Sequence, residues 1–155
     1  MNVMIQRVQS IFLFLAFIST ALVFIFPVLT LVSETGEEWT LSATGVTRSA
    51  DGVLLFRVIP MTIHLALITL VPFVAIFLYK RRGLQMRLTM INMMVTLGLL
   101  LQMVLYGLKG SLQLEASLTP GFITIMPVVS FILQLMAFRA IRRDDLLIKG
   151  LDRIR

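Results

Sequence analysis

The sequence predicts an all-α membrane protein: a four-transmembrane-helix bundle with a small extracytoplasmic β-hairpin or three-stranded sheet and a C-terminal cytoplasmic amphipathic helix. Three observations predict it. Of the 155 residues, 58% are hydrophobic and only 14% charged, where a soluble domain carries about 25% charged residues. The apolar residues gather in four runs near the ~20 residues a helix needs to cross ~30 Å of hydrocarbon. Lysine and arginine flank those runs, mostly on one side. At this length the chain is a single domain, residues 1–155, and a soluble fold of that size could not hide so much apolar surface.

The first run, "IFLFLAFISTALVFIFPVLTLV", covers Ile11–Val32 and follows Arg7. It is too long for the apolar core of a secretory signal, and "SETGEEW" after it offers no small-residue cleavage site, so it reads as a retained span. An outer loop, 33–58, alternates apolar and polar residues from Trp39, then reaches the strand-forming "GVLLFRV" through an Asp51-Gly52 turn. This predicts a hairpin of Trp39–Val46 with Val53–Val58. The second span is Ile59–Tyr79, with Pro72 near its middle expected to kink it by removing one backbone hydrogen bond. Only "KRRGLQMR" separates it from the third span, about Leu88–Leu108, which sets the two antiparallel. In the second outer loop, 109–120, Leu112, Leu114, Ala116 and Leu118 alternate, which suggests a third strand for a hairpin that is marginal alone. We read this sheet as a lid on the bundle with Trp39 as an interfacial anchor; a platform for a partner or ligand is the alternative. The fourth span is about Gly121–Phe138, and the tail is 139–155.

Orientation follows from the basic residues. Arg7, Lys80, Arg81, Arg82, Arg87, Arg139, Arg142, Arg143, Lys149, Arg153 and Arg155 fall on one side, and Arg48, Arg57 and Lys109 on the other. Under the positive-inside rule both termini and the short loop are cytoplasmic. The outer side, with Glu34, Glu37, Glu38, Asp51 and Glu115, is mildly acidic.

Several chemistries are excluded or disfavoured. The absence of cysteine removes disulfide catalysis, including that of quinone-coupled disulfide-forming enzymes, and Cys-ligated metals. The formal charge of +6 does not point to nucleic acid, because the basic residues flank apolar runs instead of forming a patch on a soluble fold. No Asp, Glu, Lys or Arg lies within a span, so ion-coupled transport by one chain is disfavoured. His64 is the single ionisable residue in a span, which makes it a functional candidate; the plainer reading is an interfacial histidine bonded to loop carbonyls. Gln102 and Gln134 read as interhelical hydrogen-bonding groups, and with His64 they are the candidate pocket polar residues. The ten methionines read as packing filler. No hydrolase, zincin or phosphate-loop motif is present, so we expect no catalysis, no cofactor and no metal.

The tail "FRAIRRDDLLIKGLDRIR" is amphipathic at helical period. Ala140, Ile141, Leu147, Ile148, Leu151 and Ile154 share one arc and the basic residues another, with Asp144 and Asp145 as salt-bridge partners and Asp145 four residues ahead of Lys149. We expect it to lie along the membrane against anionic head groups, each basic side chain contributing ~1 kcal/mol. Gly150 is its expected weak point. The alternative is docking to a membrane or cytoplasmic protein through Leu147, Leu151 and Ile154. The candidate partner or lipid contacts are thus Arg7, Arg81, Arg82, Arg87, Arg139, Arg142, Arg143, Leu147, Leu151, Arg153 and Ile154.

Three segments, "MIQRVQSIFLFLA" from Met4, "FLYKRRGLQMRL" from Phe77 with Asn92 beyond it, and "RAIRRDDLLIKGLDRIR" from Arg139, resemble a family of small four-span membrane proteins of unknown function from Bacteroidetes-type bacteria. The resemblance implies an inner-membrane location and a start at Met4, and carries over no catalytic or binding residue. It draws attention to Gln6, Arg7, Tyr79, Gln85, Arg87, Arg142 and Arg153, all expected to face the cytoplasm. The expected function is that of a non-enzymatic accessory or scaffold acting through this basic face. The alternative is a lipid- or small-molecule-binding protein or facilitator with a pocket beneath the outer loops.

Overall fold

A computed structural model describes the backbone of residues 2–152 and the side chains of 8–146. The first helix, α1, is Asn2–Ile25. Its last bond runs from Phe26 N–H to the Leu22 carbonyl, and Pro27, which has no N–H to continue the ladder, sits in the bend that follows. The chain then becomes strand β1, Leu29–Ser33, joined at once to the sheet by Val28 N–H to Leu41 O. The apolar run Ile11–Val32 is therefore not one span. Its last residues alternate, Leu29 and Leu31 buried and Thr30 and Val32 less so, the period of a half-buried strand. Hydropathy averaged over the run does not resolve that change of period.

Strands β2 (Glu38–Leu41), β3 (Gly45–Arg48) and β4 (Leu54–Arg57) follow. The single strand expected over Trp39–Val46 is two strands, because the chain turns at Ser42, whose N–H bonds to Gly45 O. The expected turn at Asp51-Gly52 is present: Gly52 takes φ +71°, and Asp51 Oδ1 accepts from Val53 N–H. With β5 (Ala116–Pro120) the strands form one antiparallel sheet in the order β4-β3-β2-β1-β5. Thus β5 pairs with β1 and not with the predicted hairpin.

Gly45 lies opposite Arg57 in β4, and a Cβ there would stand 2.6 Å from the Phe56 carbonyl oxygen, a backbone atom that cannot step aside. Gly45→Ala is expected to unpair β4 from β3. Amide hydrogen exchange checks this: protection at Leu54–Arg57 should fall while that of β1 stays.

Helices α2 (Ile59–Phe77), α3 (Arg82–Leu114) and α4 (Met126–Asp152) complete the bundle, α4 preceded by a 3-10 turn, Phe122–Ile125. At 33 residues α3 is about 50 Å long, beyond the Leu88–Leu108 expected for it. Its extra turns contain Leu112 and Leu114, and its C-terminal part forms a spine for the sheet: Gly107 lies against Leu29 and Leu118, and Gly110 against Leu31. Glu115 then takes a left-handed φ of 48° and turns the chain into β5. One cluster, including Leu31, Trp39, Leu41, Val46, Met61, Leu65 and Leu99, runs unbroken from sheet to bundle. Trp39 is 4% exposed; it is a core residue under Arg48, not an interfacial anchor.

Four helices are long and apolar enough to cross a membrane. Their outward surface is apolar: Ile18, Ile63, Leu67, Leu70, Ile91, Leu101, Val104 and Ile132 are all exposed. The interior holds the polar groups, with Thr20, Asn92, Thr96, Ser130 and Gln134 buried. A water-soluble bundle would carry its polar residues on that outward face.

Candidate functional site

The sheet and the basic loop lie at opposite ends of the bundle. At the basic end, three contacts stitch the chain segments together. Gln9 Nε2 on α1 donates to Ala140 O on α4 at 3.2 Å. Gln85 Nε2 on α3 donates to Ala75 O at the end of α2 at 3.0 Å. Arg82 Nε lies 3.2 Å from Asp144 Oδ2, joining the start of α3 to α4. The Asp144 side chain is 5% exposed and that of Arg82 17%, so this is a nearly buried ion pair. Its angle is not that of a hydrogen bond: among the described residues Oδ2 receives charge compensation but no aligned donor.

These contacts change the picture of the tail. Up to Leu146 it does not lie apart from the bundle; α4 runs straight on, burying Ile141 and Asp144 against its neighbours. Gly150 does not end it, since the helix continues to Asp152. Gln85 is buried as a helix–helix latch instead of facing solvent. Lys80, Arg81, Arg87, Arg139, Arg142 and Arg143 remain exposed around the stitched core, with Tyr79 beside Lys80. The side chains of Arg7, Leu147, Lys149, Leu151, Arg153 and Ile154 lie outside the described residues.

Of the three candidate pocket residues, the structure brings two together. His64 Nδ1 is 3.1 Å from Gln102 Oε1, a side-chain hydrogen bond that joins α2 to α3. The ring lies where a Cβ on Gly98 would come within 2.9 Å of Cε1, so glycine there lets α2 and α3 approach. His64 thus bonds to a neighbouring helix and not to loop carbonyls. Among the described residues no carboxylate pairs with it, and no group of three His, Asp or Glu could hold a metal.

Gln134 belongs to a separate, buried network. Its Nε2 donates to Ser130 Oγ at 3.1 Å and reaches Thr96 Oγ1 at 3.4 Å; its Oε1 accepts from Asn92 Nδ2 at 2.9 Å. Asn92 Nδ2 also donates to Ile68 O at 3.1 Å, and Ser130 Oγ to Ala16 O at 3.2 Å. All four helices are tied at this level. Ile68 O is the carbonyl whose usual i+4 donor would be residue 72, a proline, so Asn92 satisfies the acceptor that Pro72 orphans. Asn92 and Gln134 were conspicuous in the sequence as polar residues in apolar runs. That they pair with each other was not, nor was the Ile68 carbonyl, because a pairing between helices and a backbone acceptor leave no mark in composition.

At the sheet end the charges are mixed. Arg48 pairs with Glu37 at 3.6 Å and Asp51 at 3.5 Å and stands over the Trp39 ring. Lys109 Nζ lies 4.5 Å from the centroid of the Phe56 ring.

Fold and latches together define a class: a four-helix protein with membrane-length helices, closed at one end by an antiparallel sheet and clustering exposed arginines at the other. Within that class the chain belongs to the family described as Domain of unknown function (DUF4293), whose model matches residues 5–154. No curated protein and no solved structure matches it.

Proposed function

We propose that the chain is a multi-pass protein of a bacterial inner membrane, with four spans and both termini cytoplasmic, acting as a non-enzymatic accessory or scaffold through its basic end. The observation that carries this reading is the stitched basic end. The Gln9, Gln85 and Arg82–Asp144 contacts fix the helix ends, so that Arg81, Arg87, Arg139, Arg142 and Arg143 are presented on a rigid frame. A surface of that charge suits anionic head groups of the inner leaflet and the acidic face of a membrane-protein partner. The apolar outer surface, with the polar groups of the helices turned inward, supports the lipid setting, and the arginine bias supports the orientation.

Affinity purification in mild detergent tests it. A reproducible partner protein is expected, lost from the R139Q/R142Q/R143Q variant with no change in the yield of the chain itself; a reproducibly solitary protein would overturn the scaffold reading. Because the chain has no cysteine, single-cysteine variants report topology directly. Ser49→Cys should react with an impermeant maleimide on intact cells, and Arg81→Cys only after lysis.

The second reading, binding of a lipid or small molecule beneath the sheet, is favoured by one observation. A cleft of about 240 Å³ with an almost wholly apolar lining opens between α3 and β5, bounded by Leu29, Met103, Gly107 and Leu118.

A further inference from the structure

Three cations stand at the sheet end, and two of them are engaged: Arg48 by Glu37 and Asp51, Lys109 by the Phe56 ring. Arg57, exposed at the end of β4, has no acidic partner among the described residues. It opens onto a cleft of about 450 Å³ that it shares with Thr44, Leu54, Ile59, Thr62 and Ile63. From this cleft an exposed apolar stripe descends one face of α2 through Ile59, Ile63, Leu67 and Leu70. At 1.5 Å per residue the stripe is about 16 Å long, close to half of a ~30 Å hydrocarbon core.

A free guanidinium at the head of a leaflet-deep apolar track matches one kind of molecule, an anion with a hydrocarbon chain attached to it. We propose that this cleft is a phospholipid site of the outer leaflet. The phosphodiester accepts from the Arg57 guanidinium, whose planar fork fits two phosphate oxygens, and an acyl chain lies along Ile59, Ile63 and Leu67. Charge decides against an acidic protein as occupant: Glu34, Glu37, Glu38, Asp51 and Glu115 share this end and repel one, whereas a lipid presents its phosphate at Arg57 alone. The site rests on reading the helices as membrane spans, and it is distinct from the arginines of the opposite end.

The test uses the full chain in phosphatidylcholine nanodiscs doped with phosphatidylglycerol carrying a diazirine in one acyl chain, with adducts mapped by peptide mass spectrometry. Adducts are expected to concentrate at Ile59, Ile63 and Leu67 and to fall about tenfold in R57Q, the factor that losing one charge-assisted contact represents. R57K should recover part of the signal, and I63W, which fills the cleft and keeps the charge, should lose it. Adducts on Leu101 and Val104 of α3 should stay constant in every variant, which certifies that the helices remain folded. Labelling spread evenly over the helices and indifferent to Arg57 would overturn the site while leaving the membrane reading intact. No adduct on any helix would overturn both.

Discussion

Replacing Asn92 by leucine is expected to lower stability by about 2–4 kcal/mol, because two buried acceptors lose their donor at once and each such loss costs roughly 1–3 kcal/mol. Those acceptors are Ile68 O and Gln134 Oε1. The lower half of the range is the better guide for hydrogen bonds inside a bilayer, where the unfolded reference also finds partners. The origin of the effect can be isolated. Pro72→Ala restores a backbone N–H that can bond to Ile68 O, so in that background N92L should cost about 1 kcal/mol less. Unfolding by SDS titration in micelles measures all four corners of the cycle. An identical cost in both backgrounds would show that Asn92 does not serve the carbonyl left by Pro72.

The second large effect is expected at the basic end. Arg82→Ala strands the carboxylate of Asp144, 5% exposed, and breaking a buried pair from one side typically costs about 3–5 kcal/mol. Arg82 is not wholly dry, so about 3 kcal/mol is the expected value. Removing both charges is a different experiment. The R82M/D144M double variant should regain most of the loss, because the pair's mutual attraction largely offsets its own desolvation. If the double variant is as unstable as R82A, the pair adds more than compensation, and its geometry holds α3 to α4. In either result the exposed arginines on this frame should respond: partner recovery in R82A is expected to fall although Arg139, Arg142 and Arg143 are intact.

The two predictions concern different kinds of buried polarity, and the difference explains where each occurs. At mid-bundle the groups are neutral amides and hydroxyls, which lose little by leaving water once paired. At the start of α3, where head groups and water are near in the proposed setting, an ion pair is tolerated. Moving such a pair to the level of Asn92 would raise its desolvation cost steeply.

Helix number, order and the separation of basic from mixed ends were legible in the sequence because they depend on sums: run length, mean hydropathy and the side on which lysine and arginine fall. The Asp51-Gly52 turn was legible because two adjacent residues carry its whole signal. The stretch Leu29–Val32 was misread as helix because an apolar strand and an apolar helix contribute alike to a sum. For the tail, the amphipathic pattern was present but its partner was not: the arc containing Ile141 faces the bundle as far as it is described, and the sequence does not say which surface covers an apolar arc. Likewise His64 and Gln134 looked equivalent as polar residues in greasy runs. Position along the helix and rotation about it send one to Gln102 and the other to Asn92.

What this sequence determined by itself is set by solvent preference, which each segment expresses independently of the others: four apolar rods, charged ends and a polar connection rich in strand formers. What only the tertiary structure decided is every pairing between segments: β5 beside β1, Asn92 under the carbonyl that Pro72 leaves open, Asp144 against Arg82, and Arg57 alone at the head of an apolar stripe. Those depend on distances between residues far apart in the chain, and such distances exist only once the helices have packed.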